Sequence, residues 1–105
     1  MNDVLARLDA VLEARKDASP ETSYVARLYA QGPAAMLRKI GEEATETIIA
    51  GGGEDERALV HETADLWFHS LVMLAHRGLT SRDVLAELDR RFGVSGVQEK
   101  AARSE

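Results

Sequence analysis

Apolar residues recur at three- and four-residue intervals along most of the chain, and no stretch alternates with period two over a useful length. The pattern therefore predicts helices and no strands. Val4, Leu5, Leu8, Val11 and Leu12 mark a first helix running to about Lys16, with Asn2 as its N-cap. Ala18-Ser19-Pro20 breaks it, and Ser19 ahead of Pro20 predicts the start of a short second helix carrying Tyr24, Val25 and Leu28. Gly32-Pro33 ends that helix and opens a third over roughly 33–50, whose apolar stripe is Leu37, Ile40, Ala44 and Ile48. Gly51-Gly52-Gly53 is the clearest break, because consecutive glycines are costly to order in any regular element. A long fourth helix follows from about Asp55 to His76, with Gly78 as its C′ residue. Thr80 and Asp83 have capping-box spacing ahead of a fifth helix holding Val84, Leu85, Leu88 and Phe92. The fold class is all-α: a small bundle of about five helices, with two long central antiparallel ones.

Polar residues interrupt this pattern in a particular way. Glu43 and Glu46 stand three apart on the third helix, and Glu62 and Asp65 stand three apart on the fourth. Residues at i and i+3 share a helix face, about 4.5 Å apart along the axis. Two such pairs on neighbouring helices converge four carboxylates on one point. The fourth helix is apolar on nearly every side from Ala64 to Ala75, which predicts a central, buried position. Unpaired carboxylates at its front end would cost several kcal/mol each (of order 3–5), and a divalent cation offsets that cost for all of them together. An all-oxygen ligand set suits Mg²⁺ or Mn²⁺, and Mg²⁺ suggests phosphate chemistry.

Helical phase adds detail. Lys39, Glu43 and Glu46 fall at i, i+4 and i+7 on one face, so Lys39 is placed to meet a phosphate oxygen. Glu42 is turned about 100° from Glu43, beside the cluster, where it could hold a second metal or act through water. His69 shares the face of Glu62 and Asp65, as a substrate contact or as a hydrogen-bonded core histidine. His61 and His76 read as surface groups, and Trp67 and Phe68 as core.

Competing readings are weaker. Glu-x-x-His, which a di-iron carboxylate bundle needs on its helices, occurs nowhere in the chain. The three glycines lack the preceding strand and the following Gly-Lys-Ser/Thr of a phosphate loop. A non-catalytic helical dimerisation module, with the carboxylates as surface charge, remains as an alternative from another class.

Bulk composition narrows the setting. The 105 residues suit a single domain over 1–105, small enough for oligomerisation to help it. A net charge of −5 argues against non-specific nucleic-acid binding. With no cysteine, thiolate chemistry is excluded, in keeping with a reducing compartment. The start of the chain lacks signal-peptide regions, and the longest apolar stretch falls far short of the roughly 20 residues of a membrane span. The expectation is a cytoplasmic protein that binds neither nucleic acid nor membrane.

Lys39-Ile40-Gly41-Glu42-Glu43-Ala44-Thr45-Glu46 followed by Glu62-Thr63-Ala64-Asp65-Leu66 resembles the Glu-Glu-x-x-Glu … Glu-x-x-Asp signature of the all-α nucleoside triphosphate pyrophosphatases. Ser23-Tyr24-Val25-Ala26-Arg27-Leu28, Asp65-Leu66-Trp67-Phe68-His69 and Gly96-Val97-Gln98-Glu99-Lys100-Ala101 are similar to its phosphoribosyl-ATP pyrophosphatase branch, a family of histidine biosynthesis. Trp67-Phe68 departs from the Leu-Tyr pair expected there. The resemblance implies Mg²⁺-dependent cleavage between the α and β phosphates of N1-(5-phosphoribosyl)-ATP, in a homodimer or homotetramer. It implies that Glu43, Glu46, Glu62 and Asp65 bind the metal and that Glu42 or Glu46 activates water. Lys39, Arg27, Lys100 and Arg103 would meet the phosphates, with residues 93–105 as a tail that closes over the site. A house-cleaning nucleoside triphosphate pyrophosphohydrolase on the same scaffold is the alternative.

Overall fold

The structure is a computed structural model and describes residues 3–92. Among these it contains five α-helices and no strand: α1 Val4–Ala14, α2 Tyr24–Gln31, α3 Pro33–Gly51, α4 Glu56–His76 and α5 Ser81–Phe92. The two long helices, α3 and α4, pack together most extensively, and the shorter helices brace that hairpin. The core is small. Leu12, Val25, Leu28, Ala35, Met36, Leu71, Val72 and Ala75 form one buried cluster drawn from α1, α2, α3 and α4.

Local chemistry explains most of the boundaries. Asp55 caps α4 by accepting hydrogen bonds from the backbone N–H groups of Arg57 and Ala58. The other end of α4 is a Schellman turn. Gly78 adopts φ +78°, its N–H bonds the Ala75 carbonyl, and the Leu79 N–H bonds the Leu74 carbonyl at 2.8 Å. At the start of α5 the Asp83 carboxylate accepts from the Thr80 N–H at 2.9 Å, the capping-box bond expected from the spacing. Gly32 ends α2 and begins α3 with a single residue at φ +92°, a conformation that L side chains rarely adopt.

Several boundaries and faces differ from the sequence expectation. Asn2, expected to cap α1, lies outside the described residues, and the flanking Asp3 makes no side-chain cap bond. The α-helix ends at Ala14 and tightens into a 3₁₀ turn over Arg15–Asp17. The second helix does not begin at Ser19-Pro20. That segment forms a separate turn, with Ser19 accepting from the Glu21 N–H, and the true N-cap is Ser23, whose hydroxyl accepts from the Ala26 N–H at 3.1 Å. The extended backbone of Ser23 makes it the competent cap.

The expected stripe of α3 is not its buried side. Leu37 is 57% and Ile48 75% exposed, while Ala35 and Met36 enter the core. Likewise α4 is not buried all round: Trp67 is 58% exposed, and the buried side runs through His69, Leu71, Val72 and Ala75. A chain of this size cannot surround a long helix on every side.

Candidate active site

α3 and α4 are cross-tied where the acidic residues face each other. The Thr47 hydroxyl lies 2.7 Å from the Glu43 carbonyl one turn back on α3 and 3.1 Å from the Glu62 carbonyl on α4. This contact ties the two helices at the level of the acidic residues. One ligand atom each from Glu43, Glu46 and Glu62 then falls within 4.8 Å of the others. A second group shares Glu62 and adds His61 and Asp65, again within 4.8 Å. The i, i+3 spacing pairs Glu43 with Glu46, and the packing of α4 on α3 adds Glu62; the expected convergence of four carboxylates is thus three, with Asp65 grouped with Glu62 instead.

The electrostatics of this cluster are unfavourable as it stands. Glu43 is only 6% exposed, and its Oε2 is shut off from solvent with no hydrogen-bond partner. Glu62 Oε1 is in the same condition. Native proteins rarely leave buried polar atoms unpaired. Burial, then the Glu46 charge and its hydrogen bond, push the Glu62 carboxyl above the ordinary carboxylate value. Lys39 offers partial relief, with Nζ 3.2 Å from Glu42 and 3.8 Å from Glu43. Its hydrogen bond to Glu42 raises its own pKa, so it stays charged. A hard cation fits the chemistry of this donor set: three carboxylates, with two buried oxygens that lack partners.

Beside the carboxylates, a polar bridge links α4 to α2. His69, 7% exposed, presents Nδ1 to the Asp65 carbonyl at 2.8 Å and Nε2 to the Tyr24 hydroxyl at 2.8 Å. Both ring nitrogens are therefore engaged within the protein. Burial raises the Tyr24 phenol, Lys39 opposes that, and Glu43, Glu42 and Asp65 add to it.

A family model described as phosphoribosyl-ATP pyrophosphohydrolase matches residues 5–92. This chain belongs to that family. Curated relatives named phosphoribosyl-ATP pyrophosphatase agree over nearly the full length. One from Hydrogenovibrio crunogenus is 54% identical, covering 98% of this chain and 95% of the relative. One from Acidovorax is 56% identical, covering 96% and 82%, and one from Methylibium petroleiphilum is 56% identical, covering 97% and 85%. Like the rest of the phosphoribosyl-ATP pyrophosphohydrolase family, the chain is an enzyme, a hydrolase of a phosphoric anhydride.

Other residues expected at the site fall out as follows. Glu42 sits beside the cluster, half-exposed and held by Lys39, as helical phase required. Arg27 donates to the Pro20 carbonyl at 3.0 Å and lies over the Tyr24 ring at 6.0 Å. Lys100 and Arg103, and the tail that carries them, lie outside the described residues. Thr47 and Tyr24 were not singled out as site residues in the sequence. A threonine in mid-helix carries no positional signal, and the tyrosine's partner is 45 residues away.

Proposed function

We propose that this chain hydrolyses N1-(5-phosphoribosyl)-ATP to N1-(5-phosphoribosyl)-AMP and pyrophosphate in a Mg²⁺-dependent reaction, the second step of histidine biosynthesis, in the cytoplasm. The observation that carries the metal reading is the pair of buried, unpartnered oxygens on Glu43 and Glu62, two residues brought together from α3 and α4. The substrate reading rests on family membership over residues 5–92. No helix among the described residues is long and apolar enough to cross a membrane.

Glu43, Glu46 and Glu62, with Asp65 beside them, would hold the cation. When bound, Mg²⁺ (or Mn²⁺) neutralises charge on the polyphosphate oxygens and acidifies a nearby water. Glu46 and Glu42 are the carboxylates at the open side of the cluster, and one of them takes the proton of the attacking water. Lys39, already charged and on the same face, turns to the phosphate oxygens as substrate enters. Arg27, Lys100 and Arg103 supply further positive charge to the phosphates, and His69 supports the site from the buried side of α4.

We also infer that the working form is a homodimer or homotetramer. Leu37, Ile48, Ile49, Val60 and Trp67 are exposed on the α3–α4 hairpin. Trp67, Leu74, Val84 and Leu88 line an open, almost wholly apolar groove of about 330 Å³. Light scattering on the purified chain tests this, and a monomer at micromolar concentration would overturn it.

The decisive experiment measures pyrophosphate release from phosphoribosyl-ATP and from the common nucleoside triphosphates, with and without Mg²⁺. The expected result is a strong preference for phosphoribosyl-ATP that vanishes on chelation. A preference for ordinary or damaged triphosphates would instead make this a house-cleaning hydrolase.

A further inference from the structure

Tyr24 is anchored at its tip and bare along much of its ring. The cap at Ser23 makes it the first residue of α2. Its hydroxyl lies 2.8 Å from Nε2 of His69, whose other ring nitrogen lies 2.8 Å from the Asp65 carbonyl. His69 is buried, whereas Tyr24 is 41% exposed. The ring is therefore fixed in direction and still open to solvent. Its face is within reach of a planar group, since the exposed guanidinium of Arg27 lies over it at 6.0 Å. The ring also borders the acidic site. After burial, the influences on the phenol are the charges of Lys39, Glu43, Glu42 and Asp65, in that order.

We propose that the ring of Tyr24 is the platform on which the base of the nucleotide substrate stacks, while the phosphates lie towards Lys39 and the carboxylates. Every nucleobase has a π-face, and stacking on an aromatic side chain is a strong contact for it. A tyrosine has little side-chain freedom to lose on binding, and here the bond to His69 has already removed part of it. Arg27, at i+3 on the same helix, adds a planar cation beside the platform. Tyr24 is thus a substrate-binding residue, with His69 positioning it from the buried side. The proposal rests on the reading of the chain as a phosphoribosyl-ATP hydrolase.

Steady-state kinetics on phosphoribosyl-ATP test it in Tyr24→Phe and Tyr24→Leu, with inorganic tripolyphosphate as a competitive inhibitor that has no base. Both variants lose the bond to His69, so that loss is common to them and the difference between them belongs to the ring. Tyr24→Phe is expected to keep KM within about threefold of wild type, because the stacking face remains. Tyr24→Leu is expected to raise KM at least about fivefold above Tyr24→Phe, the low end of one base stack. Its kcat should change far less, as when binding is lost equally from ground and transition states. Inhibition by tripolyphosphate is expected to be the same in all three proteins. Equal KM in the two variants would overturn the platform. So would tripolyphosphate inhibition that weakens in step with KM, since the effect would then lie at the phosphates. Wild type inert towards phosphoribosyl-ATP would overturn the substrate reading itself, and the platform with it.

Discussion

The hydroxyl of Tyr24 on α2 and Nε2 of His69 on α4 lie 2.8 Å apart, 45 positions distant in the chain, and their rings meet edge to face at 84°. The other ring nitrogen faces a carbonyl, which can only accept, so Nδ1 carries a proton and Nε2 is left to pair with the phenol oxygen. This pins α2 against the turn of α4 that bears Asp65. Tyr24→Phe strands a buried ring nitrogen, at a cost of about 1–3 kcal/mol. Urea unfolding should show that loss, and a midpoint unchanged from wild type would show that the bond does not hold α2 in place.

A second long-range tether joins the ends of the bundle. Ser81 opens α5, is buried, and donates its hydroxyl and backbone N–H to the Asp9 carboxylate on α1 at 2.6 and 3.0 Å. Hydrogen bonds to a charged group contribute about 1.5–3 kcal/mol. Asp9→Ala should lower stability by that amount and leave turnover nearly intact, since neither residue is near the carboxylates. Thermal melts alongside steady-state kinetics check both halves.

Glu43→Gln or Asp65→Asn should lower kcat by roughly 100-fold or more, on the scale of losing a charge-stabilising group in an active site. Circular dichroism should show unchanged helix content, because neither side chain belongs to the apolar core. Near-normal activity in either variant would remove that residue from the metal set.

Glu62 carries an opposite prediction for the metal-free chain. Its folded pKa is raised above the ordinary 4.5, first by burial and then by Glu46. The ionised group therefore costs stability at neutral pH, and the cost disappears as pH falls through the raised folded value to the unfolded one. Glu62→Gln should melt higher than wild type in chelator at pH 7, converge with it near pH 4, and lose its advantage once Mg²⁺ is added. Melting curves across pH, with and without Mg²⁺, give the answer.

Glu87 on α5 behaves conventionally. Hydrogen bonds from Arg90 and then Arg91 lower its carboxyl to about 2. The stability it supplies is complete above the unfolded value near 4.5 and is lost as pH falls toward 2. Glu87→Gln should thus be less stable than wild type at pH 6, with the difference closing as pH falls through about 2. Both partners are exposed, so the difference should shrink in high salt.

Much of this was legible because the signals are local. Caps at Asp55, Thr80 and Gly78 depend on neighbours within a few residues, and the convergence of Glu43, Glu46 and Glu62 follows from helical phase. What stayed hidden depends on distant partners. Periodicity marks Leu37, Ile48 and Trp67 as apolar but does not say what covers them, and among the described residues they stay exposed. Ser19-Pro20 offered a better start signal than Ser23, yet Pro20 went into a turn and Ser23 capped the helix. The Asp9–Ser81 tether spans 72 positions, beyond the reach of any pattern.

The junction at Gly32 has a consequence for how this scaffold can vary in length. A single residue is shared by α2 and α3, so the two helices form a crank with no slack at the elbow. Adding one residue there would turn the α3–α4 hairpin by about 100° relative to α2, parting His69 from Tyr24 while every helix stayed intact. Length changes can be absorbed at 52–55, where the backbone is exposed between α3 and α4. The fold thus has one rigid joint and one elastic one, and the seating of α2 against the acidic hairpin depends on the rigid one.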